Sequence, residues 1–379
     1  MFKFQDLRKE YGNFDNPVVV IKVAGKDISE DKGEFSLSDI FVELTSGFEA
    51  SVAEFKIYNT YDVYNHEFRF EALKKLIALG SGVEISMGYG NKVRDIFRGF
   101  ISQVNFVFRR KEIPAVEVHC MDIKGIMMAN SYAKQLTAQS YSEAVKLLLD
   151  QPFYQKLNGE KGLFNNVNIA DTPDQPQGGN KDATDKTIEM VNESDYEFVV
   201  RAAKRFNYEF FQSNDTILFR KAKSDDKDLI EIGPFDGMTA FEIGYDVTGL
   251  AGKVEVRNVD VAKGKMFSSN KKLEGKMSEG NIAKQLVNKQ TKVYIDPTAA
   301  SKKDAEYRAD YLMEQMSYRF GTLEADTIGL PEIVPGKFLQ VKDLGKGASN
   351  RFYINSVRHS MSEDTTYETH ISGSAASLK

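Results

Sequence analysis

The residue types that most often carry enzyme chemistry are sparse and widely separated in this chain. Its four histidines are His66, His119, His359 and His370. A zinc site needs several ligands brought to one point, and short spacings between them are the usual sequence sign. His66 begins a His-Glu pair, but residues 68–70 are Phe-Arg-Phe and supply no second histidine one helical turn later. The histidines therefore predict no metal site.

Segments rich in glycine or serine also lack the spacing of nucleotide-binding and hydrolase motifs. Residues 336–338 are Gly-Lys-Phe, whereas a phosphate-binding loop needs Ser or Thr after the lysine to hold magnesium. Residues 88–93 contain two glycines but not the third of a dinucleotide fingerprint. No Gly-x-Ser-x-Gly elbow surrounds Ser372 or Ser374. We therefore expect no enzyme, with no catalytic, cofactor-binding or metal-binding residues.

The acidic residues leave one catalytic alternative open. Glycoside hydrolysis needs only a suitably placed pair of carboxylates, and 55 Asp and Glu residues always offer some pair. The same acidic residues exceed the 50 Lys and Arg, for a net charge of −5. Nucleic-acid binding draws its affinity from neutralising phosphates, so this balance predicts no nucleic-acid partner.

The single cysteine excludes a disulfide framework. Alternation in the segment around Cys120 places its thiol beside Val116 and Val118, opposite Glu117 and His119, which predicts a buried core residue. The first residues lack the apolar stretch of a secretory signal, and no apolar run reaches the length of a membrane span. We expect synthesis in the bacterial cytoplasm, followed by release through lysis or within an assembly.

Residues 1–123 are predicted to form a small β-barrel domain. Short apolar strands alternate with glycine turns at 18–23, 40–44, 83–87, 96–104 and 116–120. A change of alternation phase between Phe48 and Ile57 predicts a β-bulge, and residues 71–79 predict a short helix ending at Gly80.

Residues 124–232 are predicted to form an α/β domain that ends in a helix followed by a hairpin. Ser140 and Glu143 form a candidate capping box for an apolar helix that ends before Pro152. Residues 157–185 predict a loop around one strand at 163–169, and residues 221–227 a charged connector. The helix begins at Ser194-Asp195, ends at Asn207, and precedes strands at 208–211 and 216–220.

Residues 233–379 are predicted to form a second β-barrel domain. Strands are expected at 240–245, 253–259, 336–341, 352–357 and 366–371. The lysine-rich segment 263–280 predicts a solvated loop, which is favoured over the alternative of an anion-binding patch because Glu274 and Glu279 interrupt its positive charge. Ser301 and Asp304 predict the start of a helix. The fold class is thus β-rich α+β, with two barrels around an α/β domain.

Three motifs, in order along the chain, resemble those of the phage late control D and VgrG proteins. In the first barrel the matching residues are Gly82, Val83, Ile85, Gly88, Tyr89, Gly90, Phe97, Gly99, Ile101 and Val104. In the helix–hairpin unit they are Glu193, Ser194, Asp195, Phe198, Arg201, Ala203 and Phe210. In the second barrel they are Pro335, Gly336, Phe352, Ile354, Val357 and His359.

This resemblance implies a structural role at the centre of a baseplate. The expected assembly is a homotrimer whose paired barrels form a pseudo-six-fold ring, adapting the six-fold tail tube to the three-fold spike. Implied partners are a spike protein, the tail tube or a tube initiator, and other baseplate components. We expect subunit contacts at strand edges around 83–104 and 337–357, and exposed aromatic residues on a lone subunit.

One departure from the VgrG pattern bears on the spike. VgrG proteins continue into an OB-like domain and a β-helical needle, whereas this sequence ends at Lys379. The resemblance therefore implies a spike made by a separate chain, in a phage tail, a tailocin or an extracellular injection particle. The alternative function is that of a β-rich carbohydrate-binding surface protein or a glycoside hydrolase.

Overall fold

The structure is a computed structural model that describes residues 1–29, 35–157, 162–174, 186–260, 265–273, 281–297, 299, 301–345, 347–362 and 366–378. Its strands are β1 (Phe2–Lys3), β2 (Pro17–Val23), β3 (Lys26–Asp27), β4 (Ser36–Thr45), β5 (Val52–Tyr58), β6 (Tyr61–Asp62), β7 (Glu67–Phe68), β8 (Gly82–Tyr89), β9 (Lys92–Val107), β10 (Ala115–Met121), β11 (Tyr132–Ala138), β12 (Asn166–Ile169), β13 (Lys186–Glu193), β14 (Tyr208–Ser213), β15 (Thr216–Lys221), β16 (Asp228–Ile232), β17 (Met238–Tyr245), β18 (Lys253–Asp260), β19 (Lys265–Lys272), β20 (Thr291–Ile295), β21 (Gly321–Ile328), β22 (Phe338–Val341), β23 (Arg351–Met361) and β24 (Glu368–Ala375). Its helices are α1 (Phe4–Glu10), α2 (Phe70–Leu76), α3 (Ile123–Met127), α4 (Tyr141–Leu149), α5 (Pro152–Gln155), α6 (Asp195–Phe206), α7 (Asn281–Lys289) and α8 (Lys302–Ser317), with one 3-10 turn at Gly12–Phe14.

The strands near the two ends of the chain join in one 14-stranded sheet. An antiparallel ladder between β4 and β23 joins them, with Val42 opposite His359 and Leu44 opposite Val357. The β-rich fold with few helices is confirmed, and the two-barrel arrangement and the domain boundaries stay predictions. β16, which the sequence assigned to the middle domain, lies in this large sheet between β1 and β22.

Alternation along the strands builds the core of the large sheet. In β10, Val116, Val118 and Cys120 are buried, while Glu117 and His119 lie on the other face. Burial raises the pKa of the Cys120 thiol. The prediction of a buried, structural cysteine is confirmed, because a thiol kept protonated among apolar side chains is a poor nucleophile.

The helix–hairpin unit forms as its sequence predicts. Ser194 Oγ accepts from the Glu197 amide at 3.1 Å, and the Glu197 carboxylate accepts from the Ser194 amide at 2.7 Å. Asn207 ends α6 in the left-handed conformation, with φ 58°. In the hairpin, Phe210 lies opposite Phe219, and both rings are buried in a second core with the apolar face of α6. The two reciprocal hydrogen bonds confirm a capping box at this helix.

Two predictions in the first domain are corrected. Residues 46–51 form the turn between β4 and β5, so the change of phase marks a hairpin rather than a bulge within a strand. The register shift lies in β4 between Ser38 and Phe41, where Asp39 has φ 51°. The helix expected over 71–79 ends at Leu76, because Ile77 is already extended and its side chain is buried in the core.

The largest error of the sequence prediction is the loop assigned to the lysine-rich segment 263–280. Within 263–280 the structure describes 265–273, and β19 pairs there with β18 along its whole length. Hydrogen bonds between the backbones of β18 and β19 stabilise this strand, although the side chains of β19 do not favour a strand by themselves. Lys263, Glu274, Lys276 and Glu279 lie outside the described residues.

Other differences are smaller. Ser140 caps α4 as predicted, but Glu143 accepts from the Gln139 amide at 2.7 Å instead of closing the box on Ser140. The strand expected at 163–169 is the shorter β12, and residues 158–161 and 175–185 of that loop lie outside the described ranges. The elements without a counterpart in the sequence prediction include α1, β11, β13, α7, β20 and β21.

Candidate assembly surface

Five aromatic rings contact one another where the β6–β7 hairpin meets the end of β9. We call Tyr61, Phe68, Phe70, Phe106 and Phe108 the aromatic cluster. The ring centroids of Tyr61 and Phe68 lie 5.2 Å apart, those of Tyr61 and Phe108 5.2 Å, and those of Phe68 and Phe106 5.1 Å. Phe70 reaches Phe106 at 6.1 Å. Several of these contacts are edge-on or tilted, the arrangements that aromatic rings favour.

Much of this cluster faces solvent. Phe70, Phe106 and Phe108 are 54%, 44% and 64% exposed. The two adjoining connections add Tyr64 at 96% and Ile113 at 73%. Scattered apolar residues are normal on a protein surface, whereas a set of mutually packed exposed rings forms an apolar patch of the kind found at interaction sites. The prediction that a lone subunit exposes aromatic residues is confirmed.

The β6–β7 turn presents its rings from a well-defined backbone. Asp62 Oδ1 accepts from the amides of Tyr64 and Asn65 at 2.9 and 3.1 Å, and its Oδ2 accepts from the Asn65 side chain at 2.9 Å. Hydrogen bonds from Asn65 lower the pKa of the Asp62 carboxyl. A turn ordered before binding loses less conformational entropy when a partner covers it.

The sequence prediction did not include the aromatic cluster, although the spacing of its phenylalanines was a signal. Phe68 and Phe70, and likewise Phe106 and Phe108, are spaced two residues apart, a spacing that would place each pair on one side of an extended chain. The sequence prediction placed subunit contacts at strand edges instead.

Two of the strands in the predicted contact regions carry no open edge, and the contact regions themselves stay a prediction. β8 is hydrogen-bonded to β2 on one side and to β9 on the other, and β22 lies between β16 and β23. Their backbone groups are therefore already paired and cannot receive another strand. Several described strands pair with one neighbour only, among them β17, which pairs with β21, and β20, which pairs with β18, so each of these has an open edge.

The motif residues behind the family resemblance serve the fold rather than the surface. Val83, Ile85 and Phe97 are buried in the large core. At Gly99, an added Cβ would lie 2.2 Å from the Met121 carbonyl oxygen. At Gly336, with φ 81°, it would lie 2.4 Å from the Phe211 ring. These glycines allow backbones and rings to pack closely.

Asp195 is a second motif residue with a structural role. Its buried carboxylate accepts from Tyr154 at 2.6 Å, from Asn130 Nδ2 at 3.2 Å and from the hydroxyl of Tyr132. Burial and the bond to Asp195 raise the pKa of Tyr132 to about 12. The network ties the start of α6 to α5 and β11.

One group of side chains has metal-ligand types. Ligand atoms of Glu54, Glu117 and His119 lie within 4.8 Å of one another, the one such group in the described part of the chain. Asn105, whose oxygen accepts from Gln103, donates to His119 Nε2 at 3.2 Å. His119 Nδ1 then carries the proton and donates to Glu54 at 3.3 Å. Hydrogen bonding accounts for the group, and the absence of a metal site stays a prediction.

No helix in the described ranges is long and apolar enough to cross a membrane.

The comparisons with known proteins address the fold. The model of the family described as Alg8 N-terminal domain matches residues 15–363. The sequence matches none of the curated proteins.

Three solved structures share the fold at low sequence identity. A 43 kDa tail protein of prophage MuSo2 from Shewanella oneidensis is 11% identical, with a TM-score of 0.67 over 94% of this chain and 98% of that one. A tail protein from Neisseria meningitidis is 13% identical, with a TM-score of 0.65 over 95% and 97%. An E. coli component of the type VI secretion system, described as similar to bacteriophage T4 tail proteins gp27 and gp5, is 11% identical, with a TM-score of 0.55 over 93% and 76%.

Proposed function

This chain belongs to the Alg8 N-terminal domain family, and we propose that it is a structural component of a contractile tail or injection-system baseplate. It is made in the bacterial cytoplasm and acts in the assembled particle. The observation that carries the proposal is the fold shared with a prophage tail protein over 94% of this chain and 98% of the other. Because the match covers nearly all of both chains, it favours a shared structural role.

Within the baseplate the chain acts as the central hub. Three copies form a ring that adapts the six-fold tail tube to the three-fold spike, as the late control D and VgrG resemblance implies. In a cyclic assembly each subunit meets its two neighbours through different surfaces. The spike protein, the tube or its initiator, and other baseplate components are its partners. The role is geometric and requires no catalysis.

The aromatic cluster is one of the surfaces that this ring covers. Its rings are packed against one another and exposed, and burying them in a trimer would remove apolar area from water. Interfaces of this class are enriched in aromatic side chains at their centres.

The test is the mass of the protein by light scattering, alone and co-expressed with the genes that neighbour its own. A trimer of the 42.7 kDa chain has a mass of about 128 kDa. The double variant Phe106→Ser/Phe108→Ser should shift the trimer to monomer without loss of circular dichroism. The matched control is Phe153→Ser/Phe235→Ser, whose rings are 54% and 83% exposed but lie outside the cluster.

The outcomes separate the two parts of the proposal. A monomer of 42.7 kDa that ignores its genomic neighbours would overturn the hub function. A trimer that persists in the Phe106→Ser/Phe108→Ser variant would support the hub function. It would also show that the aromatic cluster is not part of the subunit interface. Electron microscopy of co-expressed particles should then place the chain between tube and spike.

A further inference from the structure

A groove of about 280 Å³ lies between the open strand β20 and helix α8. Among the described residues, no carboxylate lines this groove. Its four cationic side chains are those of Lys204, Lys292, Arg308 and Arg319. Tyr294 of β20 and Tyr311 of α8 complete its walls. We call this the cationic groove. Its charge is opposite to the net charge of −5 of the whole chain.

Most of these cations lack an acidic partner of their own. Arg308 forms an ion pair with Asp296 at 3.0 Å. Lys292 donates to the Gly249 carbonyl at 2.6 Å, and Lys204 lies 5.1 Å from the centre of the Phe48 ring. Within the described ranges, no carboxylate pairs with Lys204, Lys292 or Arg319. The groove therefore presents uncompensated positive charge, which attracts an acidic ligand.

The backbone of β20 adds a second element of recognition. β20 runs parallel to β18 and is hydrogen-bonded to it alone among the described strands. Lys292 and Tyr294 line the groove, whereas the alternate residues Val293 and Ile295 are 47% and 81% exposed. An open edge with exposed apolar residues is a template for a further strand.

We propose that β20 and the cationic groove bind an extended segment of a partner protein in which acidic and apolar residues alternate. Side chains of an added strand point to opposite faces in turn. Residues on one face place carboxylates among Lys292, Arg308 and Arg319. Residues on the other face pack beside Val293 and Ile295. Main-chain hydrogen bonds give such binding its affinity, and the alternate side chains give its specificity.

This chemistry favours a peptide over a nucleic acid. A phosphate backbone would use the cations but leave both the strand edge and the apolar residues without partners. The cationic groove is separate from the aromatic cluster, and peptide binding there does not depend on the hub function.

The test uses the full chain and a fluorescent peptide in which Glu and Val alternate, followed by fluorescence anisotropy. Lys292→Glu/Arg319→Glu should weaken binding by about tenfold or more, because two attractive contacts become repulsive. The control Lys9→Glu/Lys26→Glu reverses two exposed lysines outside the groove and should leave the affinity unchanged. Thermal unfolding of each variant checks that the fold is kept.

Two further probes test strand addition itself. Of two peptides N-methylated on alternate residues, the one whose blocked amides face β20 should lose binding, while the other keeps it. A peptide with Lys in place of Glu should not bind. Equal binding by both methylated peptides, or tighter binding of a thymidine oligonucleotide that depends on the same two cations, would overturn the proposal.

Discussion

Tyr353 donates a hydrogen bond of 2.5 Å to Oε2 of Glu209, which lies 144 positions earlier in the chain. Both side chains are buried. Arg220 completes the network, since its Nε donates to Glu209 Oε1 at 2.6 Å and its Nη2 to the Gly336 carbonyl at 2.6 Å. These bonds anchor the β14–β15 hairpin to β23 of the large sheet.

Removing the Tyr353 hydroxyl should destabilise this junction. Tyr353→Phe leaves a buried carboxylate oxygen without its strongest partner, and we expect a loss of about 1–3 kcal/mol in the free energy of unfolding. Urea denaturation followed by circular dichroism measures it. Tyr64→Phe, at a residue that is 96% exposed, is the control and should stay within about 0.5 kcal/mol. Equal losses in the free energy of unfolding for Tyr353→Phe and Tyr64→Phe would show that this hydrogen-bond network does not stabilise the junction.

Comparing alanine substitutions at two glycines separates the cost of backbone strain from the cost of a steric clash in the core. Gly336 and Gly345 have φ 81° and 77°, so alanine costs about 1–2 kcal/mol at either position. Only at Gly336 would the new Cβ meet an atom, the Phe211 ring at 2.4 Å, while nothing lies within 4 Å at Gly345. Gly336→Ala should therefore lose about 1–3 kcal/mol more than Gly345→Ala in thermal unfolding. Matching losses would show that the hairpin and the Pro335-Gly336 turn do not pack as described.

His359 makes stability depend on pH. Its Nε2 donates to the Ile333 carbonyl at 3.2 Å, which leaves Nδ1 as an acceptor, and the hydroxyls of Tyr367 and Thr369 lie 3.0 and 3.1 Å from Nδ1. Burial lowers the pKa of His359 to about 4 from an ordinary value of 6.5. The unfolded chain binds the proton first as pH falls, so this contribution is complete above pH 6.5 and is lost towards pH 4.

The measurement is urea denaturation of the wild type and His359→Gln between pH 7.5 and 4. The wild type should lose up to roughly 3 kcal/mol more than the variant over this range. His66→Gln, at an exposed histidine, should follow the wild type. A wild-type profile no steeper than that of His359→Gln would contradict a neutral buried imidazole.

Lys124 is a fully buried lysine whose side chain holds the turn between β4 and β5. Its Nζ donates to the carbonyls of Gly47 and Glu49 at 3.0 and 2.6 Å. Burial lowers the pKa of Lys124 and raises that of the neighbouring Asp122. Lys124→Met keeps the volume of the stem but leaves two carbonyls unpaired and removes the amine beside Asp122.

We expect Lys124→Met to destabilise the protein by about 2–5 kcal/mol in calorimetry. Lys146→Met is the matched control, because that side chain is 47% exposed and its ion pair with Asp171 contributes at most about 1 kcal/mol. A midpoint for Lys124→Met equal to that of the control would show that Lys124 does not support the turn.

Local physics alone determined several elements of this protein. The ends of α6 follow from Ser194 and Asn207, and its buried face follows from the helical period between them. The burial of Cys120 follows from strict alternation in β10. Such features depend on neighbours a few residues away, so the order of residues specifies them.

Tertiary structure decided the features that depend on distant partners. The ladder that sets Val42 opposite His359 joins the two ends of the chain, and no local signal identifies that pairing. β19 is a strand because β18 supplies its hydrogen bonds, although lysines and polar residues dominate its sequence. The aromatic cluster and the open edge of β20 also appear only in the folded chain. Alternation predicts that a residue lies on one face of a strand, but exposure depends on which other elements cover that face.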